Sequence, residues 1–469
     1  MRGAKIVATI GPTSSSIVRL EELIKSGVDV FRLNFSHSTF DEHEKVFLNI
    51  RRAAQNVRRH PAILQDLPGP KVRVANLRTP LNLTKDSVVT ITFGKFKHYG
   101  YGFSINYPSI LKAIKVDDPI IIDDGLLRLK VIEKINSAIH CLVEVGGLLK
   151  PHKGVNFPTS DWKTPVLTSA DKNALIFGIT HDIDFVALSF IADEKSVVAT
   201  KRILNKHHSQ AKIIAKIERP AAVHNLDGIL DVADGVMVAR GDLAIETSLE
   251  KVPFLQKEII RKANAKNVAV IVATQMLESM TEHAMPTRAE VSDVANAVLD
   301  GADALMLSAE TAVGSYPAKS VRMMDHIIRE AERHEKHLFI HDISKPADTR
   351  NLSEVISHAA MVSAGDLKND KIVLFTISGK TARLLSKYRP SADILAFTPS
   401  KKTMHQLNLE WGVKPLYMDY KKDTEQMVSE AIHRLRKMKL VKRNDFLIFI
   451  IGKIPGNYAN NFLIFRKII

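Results

Sequence analysis

The stretch KIIAKIERPAAVHNLDGILDVADGVMVARGD, residues 212–242, contains two short apolar runs separated by a segment with helical spacing. Both runs, KIIAKIE (212–218) and GVMVARGD (235–242), end in charged residues. This pattern is typical of parallel strands that are joined by helices and covered on both faces. The fold then depends on how many times the unit is repeated along the chain.

Eight apolar runs of this kind can be counted before residue 311. Most are separated by amphipathic segments such as SIVRLEELIKSG (16–27) and FLQKEIIRKANAKN (254–267). Eight strands joined in this way predict a closed (β/α)₈ TIM barrel. The runs are KIVATIGP (5–12), DVFRLNFS (29–36), AILQDL (62–67), FVALSF (185–190), KIIAKIE (212–218), GVMVARGD (235–242), VAVIVATQ (268–275) and ALMLSAE (304–310).

Two further regions do not follow the barrel pattern. Residues 71–164 carry β-rich alternation, as in PIIIDDGLLRLKVI, with glycines and turn signals, and predict an inserted β-barrel lid domain. After a helix expected near 318–338, five more apolar runs predict an open-sheet α/β domain. The predicted domains are therefore residues 1–70 and 165–340 for the barrel, 71–164 for the insertion and 341–469 for the C-terminal domain.

Composition excludes some classes of protein. No apolar run approaches the roughly 20 residues that span a bilayer, and MRGAKIVATIGP lacks the features of a signal peptide, so we expect a cytoplasmic protein. The single Cys141 excludes an internal disulfide framework. The net charge of +15 is scattered along the chain, which favours solvated helix faces and small anionic ligands over a specific nucleic-acid surface. The run SHSTFDEHE (36–44) fits no common metal spacing and predicts a helix start.

Polar residues cluster at the ends of the predicted barrel strands, where barrel active sites lie. Lys216 and Glu218 share one side of their strand, and Asp242 leaves the next strand at a similar height. Two carboxylates suit Mg²⁺, and a fixed lysine suits a phosphoryl group in transfer. The alternative is a Lys216–Glu218 ion pair that only braces the barrel mouth. The strand-end residues are Arg32, Asn34, Ser36, Asp66, Lys216, Glu218, Arg240, Asp242, Thr274, Ser308 and Glu310.

Longer motifs carry a resemblance to a known family. The segments VFRLNFSHS, IIAKIERPAAVHNLDGIL, VMVARGDLAIE, VIVATQMLESM and PTRAEVSDVANAVLDGADALMLSAET, with DDGLL and HKGVNFP in the insertion, together resemble pyruvate kinase over nearly the whole chain. The resemblance implies a barrel with a β-domain lid and a C-terminal α/β domain, usually in a homotetramer. It also implies transfer of the phosphoryl group of phosphoenolpyruvate to ADP.

The resemblance implies roles for individual residues. Arg32 and Lys216 would contact the phosphoryl group, and the substrate carboxylate would meet backbone amides near Gly241 and Asp242. Thr274 would lie beside the enol carbon and, with Ser308 and Glu310, form part of the route that protonates enolpyruvate; the sequence does not name the proton donor. ADP would bind between barrel and lid, beside Asn34, Ser36, His37, Arg73 and Lys153.

One departure from the family concerns K⁺. Many pyruvate kinases hold K⁺ with oxygens at the positions of Asn34, Ser36, Asp66 and the backbone carbonyl of Leu67, and they carry an acid where this chain has Lys71. Leu67, Lys71 and Val74 resemble the K⁺-independent members, in which a lysine ammonium supplies the charge. We therefore expect activity without added K⁺. The alternative is that Lys71 is an exposed hinge residue and that K⁺ is still bound.

The stretch FTISGKT (375–381) ends like a nucleotide-binding P-loop, but Leu374 stands where that motif needs its first glycine. The loop still offers hydroxyls, a lysine and amides at a helix start, a general anion cradle. A matching loop in pyruvate kinases receives a phosphate of a sugar-phosphate effector, which implies an effector site at Thr376, Ser378, Gly379, Lys380 and Thr381. The alternative is an N-capped helix without a ligand.

The effector's identity stays open between fructose bisphosphate, another sugar phosphate and AMP, because Ala459-Asn460-Asn461 replaces the family's usual Thr-Asn-Thr.

Two other functions are possible alternatives to the kinase. A different barrel enzyme acting on phosphoenolpyruvate or another enolate would not need Arg73 and Lys153. A nucleic-acid-binding or purely regulatory protein would explain the charge, but not the polar strand ends.

Overall fold

The fold is taken from a computed structural model, which describes residues 2–93, 101–135, 137–159, 165–338, 350–368, 371–421, 423–451 and 462–468. Within these residues eight parallel strands close into a barrel, as the sequence predicts. All eight predicted runs supply a strand. The first three are β1 (Lys5–Thr9), β2 (Val30–Asn34) and β3 (Ala62–Asp66).

The inserted domain follows β3 and is built from short strands. Seven of them form one barrel-like sheet, and β5 pairs with β11 in a second sheet. The domain has its own apolar core, which includes the buried thiol of Cys141. Its strands are β4 (Val74–Ala75), β5 (Leu81–Leu83), β6 (Val88–Phe93), β7 (Gly102–Ile105), β8 (Pro119–Ile122), β9 (Leu127–Ile135), β10 (Ala138–Val145), β11 (Gly147–Leu149) and β12 (Val155–Asn156).

The chain then returns to the barrel. The remaining barrel strands are β13 (Phe185–Leu188), β14 (Lys212–Ile217), β15 (Gly235–Ala239), β16 (Ala269–Ala273) and β17 (Ala304–Leu307), and β17 pairs with β1 to close the barrel. The helices up to this domain's end are α1 (Ile17–Ser26), α2 (Phe40–Asn56), α3 (Ser169–Thr180), α4 (Glu194–Lys206), α5 (Pro220–His224), α6 (Leu226–Val232), α7 (Arg240–Glu246), α8 (Val252–Ala265), α9 (Arg288–Leu299), α10 (Ala309–Ala312) and α11 (Pro317–Leu338).

Local signals explain where these helices begin. Thr39 caps α2 through a capping box with Glu42, which confirms the helix start predicted for residues 36–44. Helix α11 agrees with the helix expected near 318–338. None of the helices in the described ranges is long and apolar enough to cross a membrane.

The C-terminal domain is an open five-stranded sheet in the order β20-β19-β18-β21-β22, with only β22 antiparallel, and it confirms the predicted α/β architecture. Its elements are α12 (Leu352–Asp366), β18 (Lys371–Phe375), α13 (Lys380–Lys387), β19 (Asp393–Thr398), α14 (Lys401–Gln406), β20 (Val413–Tyr417), α15 (Thr424–Lys437), β21 (Phe446–Ile451) and β22 (Phe462–Lys467). The predicted domain boundaries after residues 164 and 340, and the segment Ala459-Asn460-Asn461, lie outside the described residues.

The C-terminal domain packs against the N-terminal ends of the barrel strands. Leu409 belongs to the same buried cluster as the barrel interior residues Val7 and Ile214. Lys5 Nζ donates to the carbonyl of Val413 at 2.7 Å. The opposite end of the barrel, where the strands have their C-terminal ends, is left open to the inserted domain and the candidate site.

Lys212 begins β14 at this closed end of the barrel, and its ammonium is buried without a hydrogen-bond partner among the described residues. Burial lowers its pKa from 10.5 to about 8; the charge of Arg383 lowers it too, and Glu410 and Asp234 oppose the shift. The charged form is therefore disfavoured in the folded protein. Between about pH 8 and 10.5 the unfolded chain holds more protons at this position, so the contribution of Lys212 to stability rises with pH.

We expect Lys212→Met to raise the free energy of unfolding at pH 7 by about 1–3 kcal/mol, because it removes a buried charge that lacks a hydrogen bond. The gain should shrink when denaturant unfolding is repeated near pH 10. Lys201→Met is the control, since the side chain of Lys201 is 39% exposed. A Lys212→Met protein that is less stable than the wild type at both pH values, or equally stabilised at both, would contradict this prediction.

Candidate active site

The barrel interior fixes which strand residues point into the candidate site. On β14 the interior residue is Ile214, whereas Ile213, Ala215 and Ile217 pack outward against the helices. Because strand side chains alternate, Lys216 lies on the interior side two residues after Ile214. Glu218 continues this side just beyond the strand.

Lys216 is the centre of a buried cluster of charges. Its Nζ lies 2.9 Å from Glu218 Oε1 and 3.3 Å from Asp66 Oδ1, and it donates to Ser189 Oγ at 2.8 Å. Arg32 Nε donates to the other oxygen of Asp66 at 2.7 Å. Strands β2, β3, β13 and β14 thus bring two cations and two carboxylates together, and the Lys216–Glu218 ion pair is present within this larger cluster.

The charges in this cluster shift one another's pKa. Burial alone would raise the pKa of Asp66, but Lys216 and Arg32 hold it below its ordinary value. Burial opposes the charge of Lys216, but Asp66 and Glu218 raise the pKa of Lys216, so it stays protonated. The pKa of Glu218 rises to about 7, because burial and the nearby charge of Asp242 outweigh the attraction of Lys216. The cations of the cluster therefore do not fully balance the ionised form of Glu218.

Asp242 lies in the first turn of α7, which directly follows β15. One of its carboxylate oxygens lies 3.4 Å from Lys71 Nζ, at the root of the inserted domain. The amide of Gly241 donates to Thr274 Oγ1 at 2.9 Å. The structure therefore brings Gly241, Asp242 and Thr274 to the same rim of the barrel.

Thr274 is held in an unusual backbone conformation. Its φ is 70° and that of Gln275 is 56°, both in the left-handed region that non-glycine residues rarely adopt. Arg240 Nη2 donates to the carbonyl of Thr274 at 2.6 Å, and Arg240 Nη1 pairs with Asp293 at 2.7 Å. Strain of this kind persists only where neighbours fix it, and Arg240 supplies that restraint.

Glu310 and Ser308 follow β17. The fully buried carboxylate of Glu310 accepts hydrogen bonds from the amides of Ser308 at 2.6 Å and Leu277 at 3.1 Å, and burial raises its pKa. The hydroxyl of Ser308 is buried and has no hydrogen-bond partner within the described ranges. Glu310 therefore ties the ends of two strands together, and Ser308 keeps a free hydroxyl.

The residues expected at the nucleotide lie on two elements. Arg73 and Lys153 lie on paired segments at the root of the inserted domain, where Arg73 Nη1 donates to the carbonyl of His152 at 3.1 Å and Lys153 Nζ pairs with Asp123 at 2.7 Å. Asn34 is the last residue of β2, and Ser36 and His37 follow it. Burial lowers the pKa of His37, and the charges of Arg73, Arg32 and Lys71 lower it further, so these groups share one region.

A cleft of about 730 Å³ separates the inserted domain from the barrel. Asp124 and Arg128 line it from the inserted domain, and Gly241, Asp242 and Gln275 line it from the barrel. Its size suits a small ligand, but the residues predicted to bind the nucleotide are not among those that line it.

Three of the four residues expected around K⁺ already have partners in the chain for their oxygens. Asn34 Oδ1 accepts from the amide of Ser36 at 3.2 Å, and the carbonyl of Leu67 accepts from Ser189 Oγ at 2.8 Å. Both oxygens of Asp66 face Arg32 and Lys216. The ammonium of Lys71 lies against Asp242 and 5.7 Å from the centre of the Phe190 ring.

Two residues of the cluster were missed by sequence reasoning. Ser189 links Lys216 to Asp66 and Leu67, and Thr9 Oγ1 accepts from Arg32 Nη1 at 3.0 Å. Period-two alternation could have identified both, because Ser189 stands two residues after the interior residue Ala187 and Thr9 stands two residues after the interior residue Val7. A lone hydroxyl at a strand end is a weaker signal than a charged residue, because hydroxyls are common in loops of every kind.

In the C-terminal domain the loop after β18 leads into α13. Gly379, with φ 82°, is the N-cap, and no side chain caps the helix. Thr376 is buried and its Oγ1 accepts from the amide of Gly379 at 3.0 Å, whereas Ser378 and Lys380 are exposed and Thr381 is half-buried. The first amides of α13 are therefore not taken up by a capping side chain, and the effector site stays a prediction.

Comparison with known proteins agrees with this geometry. The family model "Pyruvate kinase, barrel domain" matches residues 1–321 and "Pyruvate kinase, alpha/beta domain" matches residues 354–464. The chain belongs to the pyruvate kinase family. It is therefore a phosphotransferase, and the resemblance seen in the sequence is confirmed.

Curated members of the pyruvate kinase family are similar along almost the whole chain. The pyruvate kinase of Thermotoga maritima is 38% identical over 457 residues, 97% of each chain. That of Clostridium acetobutylicum is 38% identical over 462 residues, 98% of each chain. The relative from Geobacillus stearothermophilus is 39% identical over 97% of this chain and 78% of its own length.

Proposed function

We propose that the transfer of the phosphoryl group of phosphoenolpyruvate to ADP, giving pyruvate and ATP, takes place at the Lys216 cluster. The observation that best supports this location is the position of Lys216 between Asp66 and Glu218 at the open end of the barrel. A loose phosphoryl transition state spreads negative charge over three oxygens and needs fixed positive charge around them. The cluster offers that charge in a buried setting, where it is strongest.

In this mechanism Arg32 and Lys216 contact the phosphoryl group. Asp66 accepts from Arg32 Nε and lies 3.3 Å from Lys216 Nζ, so it orients both cations. The high pKa of Lys216 keeps it an ammonium throughout the reaction. Ser189, which accepts from Lys216 Nζ, fixes the direction of the side chain.

Glu218 and Asp242 would hold Mg²⁺. Magnesium needs only one or two carboxylates besides water and substrate oxygens, and in the described residues no cluster of three or more acidic, histidine or cysteine ligands suggests another metal. The raised pKa of Glu218 fits such a site, because a cation beside it would balance a buried charge. When bound, the ion would neutralise charge on the phosphoryl oxygens.

The rest of the substrate would lie across the rim formed by α7 and Thr274. Its carboxylate would accept hydrogen bonds from the amides near Gly241 and Asp242. The amide of Gly241, which here donates to Thr274 Oγ1, would then donate to the substrate instead. Thr274 would then face the enol carbon, and the free hydroxyl of Ser308, positioned by Glu310, would belong to the proton route. No residue is assigned as the final proton donor.

ADP would bind between the barrel and the inserted domain, on the side where Arg73 and His37 lie close together. Arg73 and Lys153 would pair with its phosphates, and Asn34, Ser36 and His37 would border them. Closure of the inserted domain would exclude water, which otherwise competes for the phosphoryl group. This gives the inserted domain the function of a lid.

K⁺ would be dispensable. The expected K⁺ ligands Asn34, Asp66 and Leu67 bind other groups of the chain, and the ammonium of Lys71 lies beside Asp242. In this proposal Lys71 supplies the monovalent charge covalently, from its position beside Asp242.

The C-terminal loop would bind a phosphate of an effector through Ser378, Lys380, Thr381 and the open amides of α13, with Thr376 and Gly379 shaping the loop. We expect Lys380→Ala to raise the half-saturating concentration of the activating compound about tenfold, since one charged contact to phosphate is lost. Fructose bisphosphate, other sugar phosphates and AMP are each titrated in a steady-state assay. Lys368→Ala, an exposed lysine in the same domain, is the control. An unchanged response in Lys380→Ala would reject the effector site.

The assembly and the location of the protein are proposed from the resemblance to pyruvate kinases. We propose a homotetramer in the cytoplasm, without a membrane or specific nucleic-acid partner. Sedimentation of the purified protein tests the assembly.

The reaction itself is tested by coupling pyruvate formation to NADH oxidation, with phosphoenolpyruvate, ADP and Mg²⁺ supplied. Pyruvate release that depends on ADP supports the proposal. Release without ADP would favour another enolate enzyme on the same barrel.

A further inference from the structure

Helix α7 carries two carboxylates on one face. Asp242 and Glu246 are four residues apart, the spacing that places side chains on the same side of a helix. Each meets one residue of the inserted domain's root. Lys71 lies 3.4 Å from Asp242, and Asn156 Nδ2 donates to Glu246 Oε1 at 2.7 Å.

The root of the inserted domain is a narrow ribbon of two segments, residues 71–75 and 152–156. The amide of Val155 donates to the carbonyl of Val72 at 3.0 Å, and that of Val74 to the carbonyl of Lys153 at 2.9 Å. Because the segments are bonded to each other, a rotation of the inserted domain moves both. The Asn156–Glu246 bond ties this ribbon to the barrel.

The two contacts between the root and α7 differ in strength. The side chains of Lys71 and Asp242 are 29% and 24% exposed, so solvent screens their attraction. Asn156 and Glu246 are each only 8% exposed, and a short hydrogen bond between buried groups is costly to leave unmade. The gap between root and barrel here is only about 20 Å³. The Asn156–Glu246 bond is therefore the firmer attachment.

We propose that Asn156 and Glu246 form a latch that sets the angle of the inserted domain over the cleft, which makes Glu246 a positioning residue for the nucleotide. The inference rests on the proposed function, in which Arg73 and Lys153 pair with the phosphates of ADP. Both residues lie on the latched ribbon, Arg73 between Val72 and Val74 and Lys153 three residues before Asn156. A shift of the root moves both cations away from the phosphates, while the Lys216 cluster stays in place.

The latch is tested by steady-state kinetics at saturating phosphoenolpyruvate. Asn156→Ala and Glu246→Ala are expected to raise KM for ADP on the order of tenfold, with kcat and KM for phosphoenolpyruvate changed less than about threefold. Asn156→Asp, of the same shape, should raise KM for ADP further because two carboxylates then face each other. Glu246→Gln should remain within about twofold of the wild type, since its amide oxygen still accepts from Asn156.

Asn264→Ala is the matched control, because Asn264 donates to the carbonyl of Gly301 far from the inserted domain. Hydrogen exchange gives a second readout: residues 71–75 and 150–159 should exchange faster in Asn156→Ala than in the wild type, with exchange in the C-terminal domain unchanged. A general loss of fold would instead speed exchange everywhere and lower kcat.

Three results would overturn the latch. The first is a KM for ADP in Asn156→Ala that stays within twofold of the wild-type value. The second is a Glu246→Gln variant as impaired as Glu246→Ala, which would assign the effect to charge near Asp242. The third is unchanged hydrogen exchange at the root in Asn156→Ala. Arg73→Ala and Lys153→Ala separate the failures. If they raise KM for ADP while Asn156→Ala does not, the latch is wrong and the nucleotide site stands. If none of the three raises it, the nucleotide site is wrong as well.

Discussion

Replacing Lys216 with methionine is expected to lower kcat by at least about 10²- to 10³-fold, the loss typical of removing one preorganised donor that stabilises transition-state charge. The physical reason is the position of its ammonium, within 3.3 Å of both Asp66 and Glu218. No other lysine of β14 can take its place, since Lys212 lies at the opposite end of the strand. Steady-state turnover of the purified variant, at saturating phosphoenolpyruvate and ADP, measures the effect.

The same substitution leaves Asp66 and Glu218 without their common cation, so some stability should be lost as well. Thermal unfolding and the fraction of folded enzyme must therefore be measured beside turnover. Lys212→Met is the matched control: it makes the same change on the same strand, away from the site, and should keep wild-type kcat. A folded Lys216→Met enzyme with near-full turnover would remove Lys216 from catalysis.

Replacing Lys71 with glutamate is expected to lower kcat/KM on the order of 100-fold in buffer free of K⁺ and Na⁺. Added K⁺ should then raise kcat/KM of this variant at least about tenfold. The ammonium of Lys71 lies 3.4 Å from Asp242, so the variant sets a carboxylate beside a proposed metal ligand. Two like charges at this distance repel unless a cation lies between them. The wild type, which carries its own cation, should respond little to K⁺.

Lys85→Glu is the control for this experiment, since it makes the same charge change at an exposed position of the inserted domain. It should leave turnover and the response to K⁺ as in the wild type. A wild-type enzyme whose activity collapses without K⁺ would show that Lys71 does not replace the ion. The oxygens of Asn34, Ser36, Asp66 and Leu67 would then be its ligands.

The barrel could be predicted from sequence because its signal is local. Each strand is a short apolar run, and most runs are followed by polar residues that barrel geometry carries to one end of the fold. Period-two alternation along β14 is enough to place Lys216 and Glu218 on the same side of the strand. The inserted domain was predicted from a change in period along the chain, and the open C-terminal sheet from five further apolar runs, too few to close a barrel.

Contacts between distant segments could not be predicted in this way. Asn156 and Glu246 are 90 residues apart, and nothing near either residue signals the other. The same holds for Leu409, which enters the barrel interior from the C-terminal domain, and for Lys212, whose pKa responds to Arg383 and Glu410 of that domain. Propensity and pattern describe neighbours in sequence, whereas these contacts depend on tertiary packing.

The central claim is that this chain transfers a phosphoryl group from phosphoenolpyruvate to ADP at the Lys216 cluster. Its most direct test is to incubate the purified wild type with phosphoenolpyruvate, ADP and Mg²⁺ in K⁺-free buffer and to quantify ATP and pyruvate together. The account predicts equal amounts of both products, neither formed without ADP and both nearly abolished in Lys216→Met. Pyruvate formed without ATP, or product formation undiminished in the folded Lys216→Met variant, would contradict it.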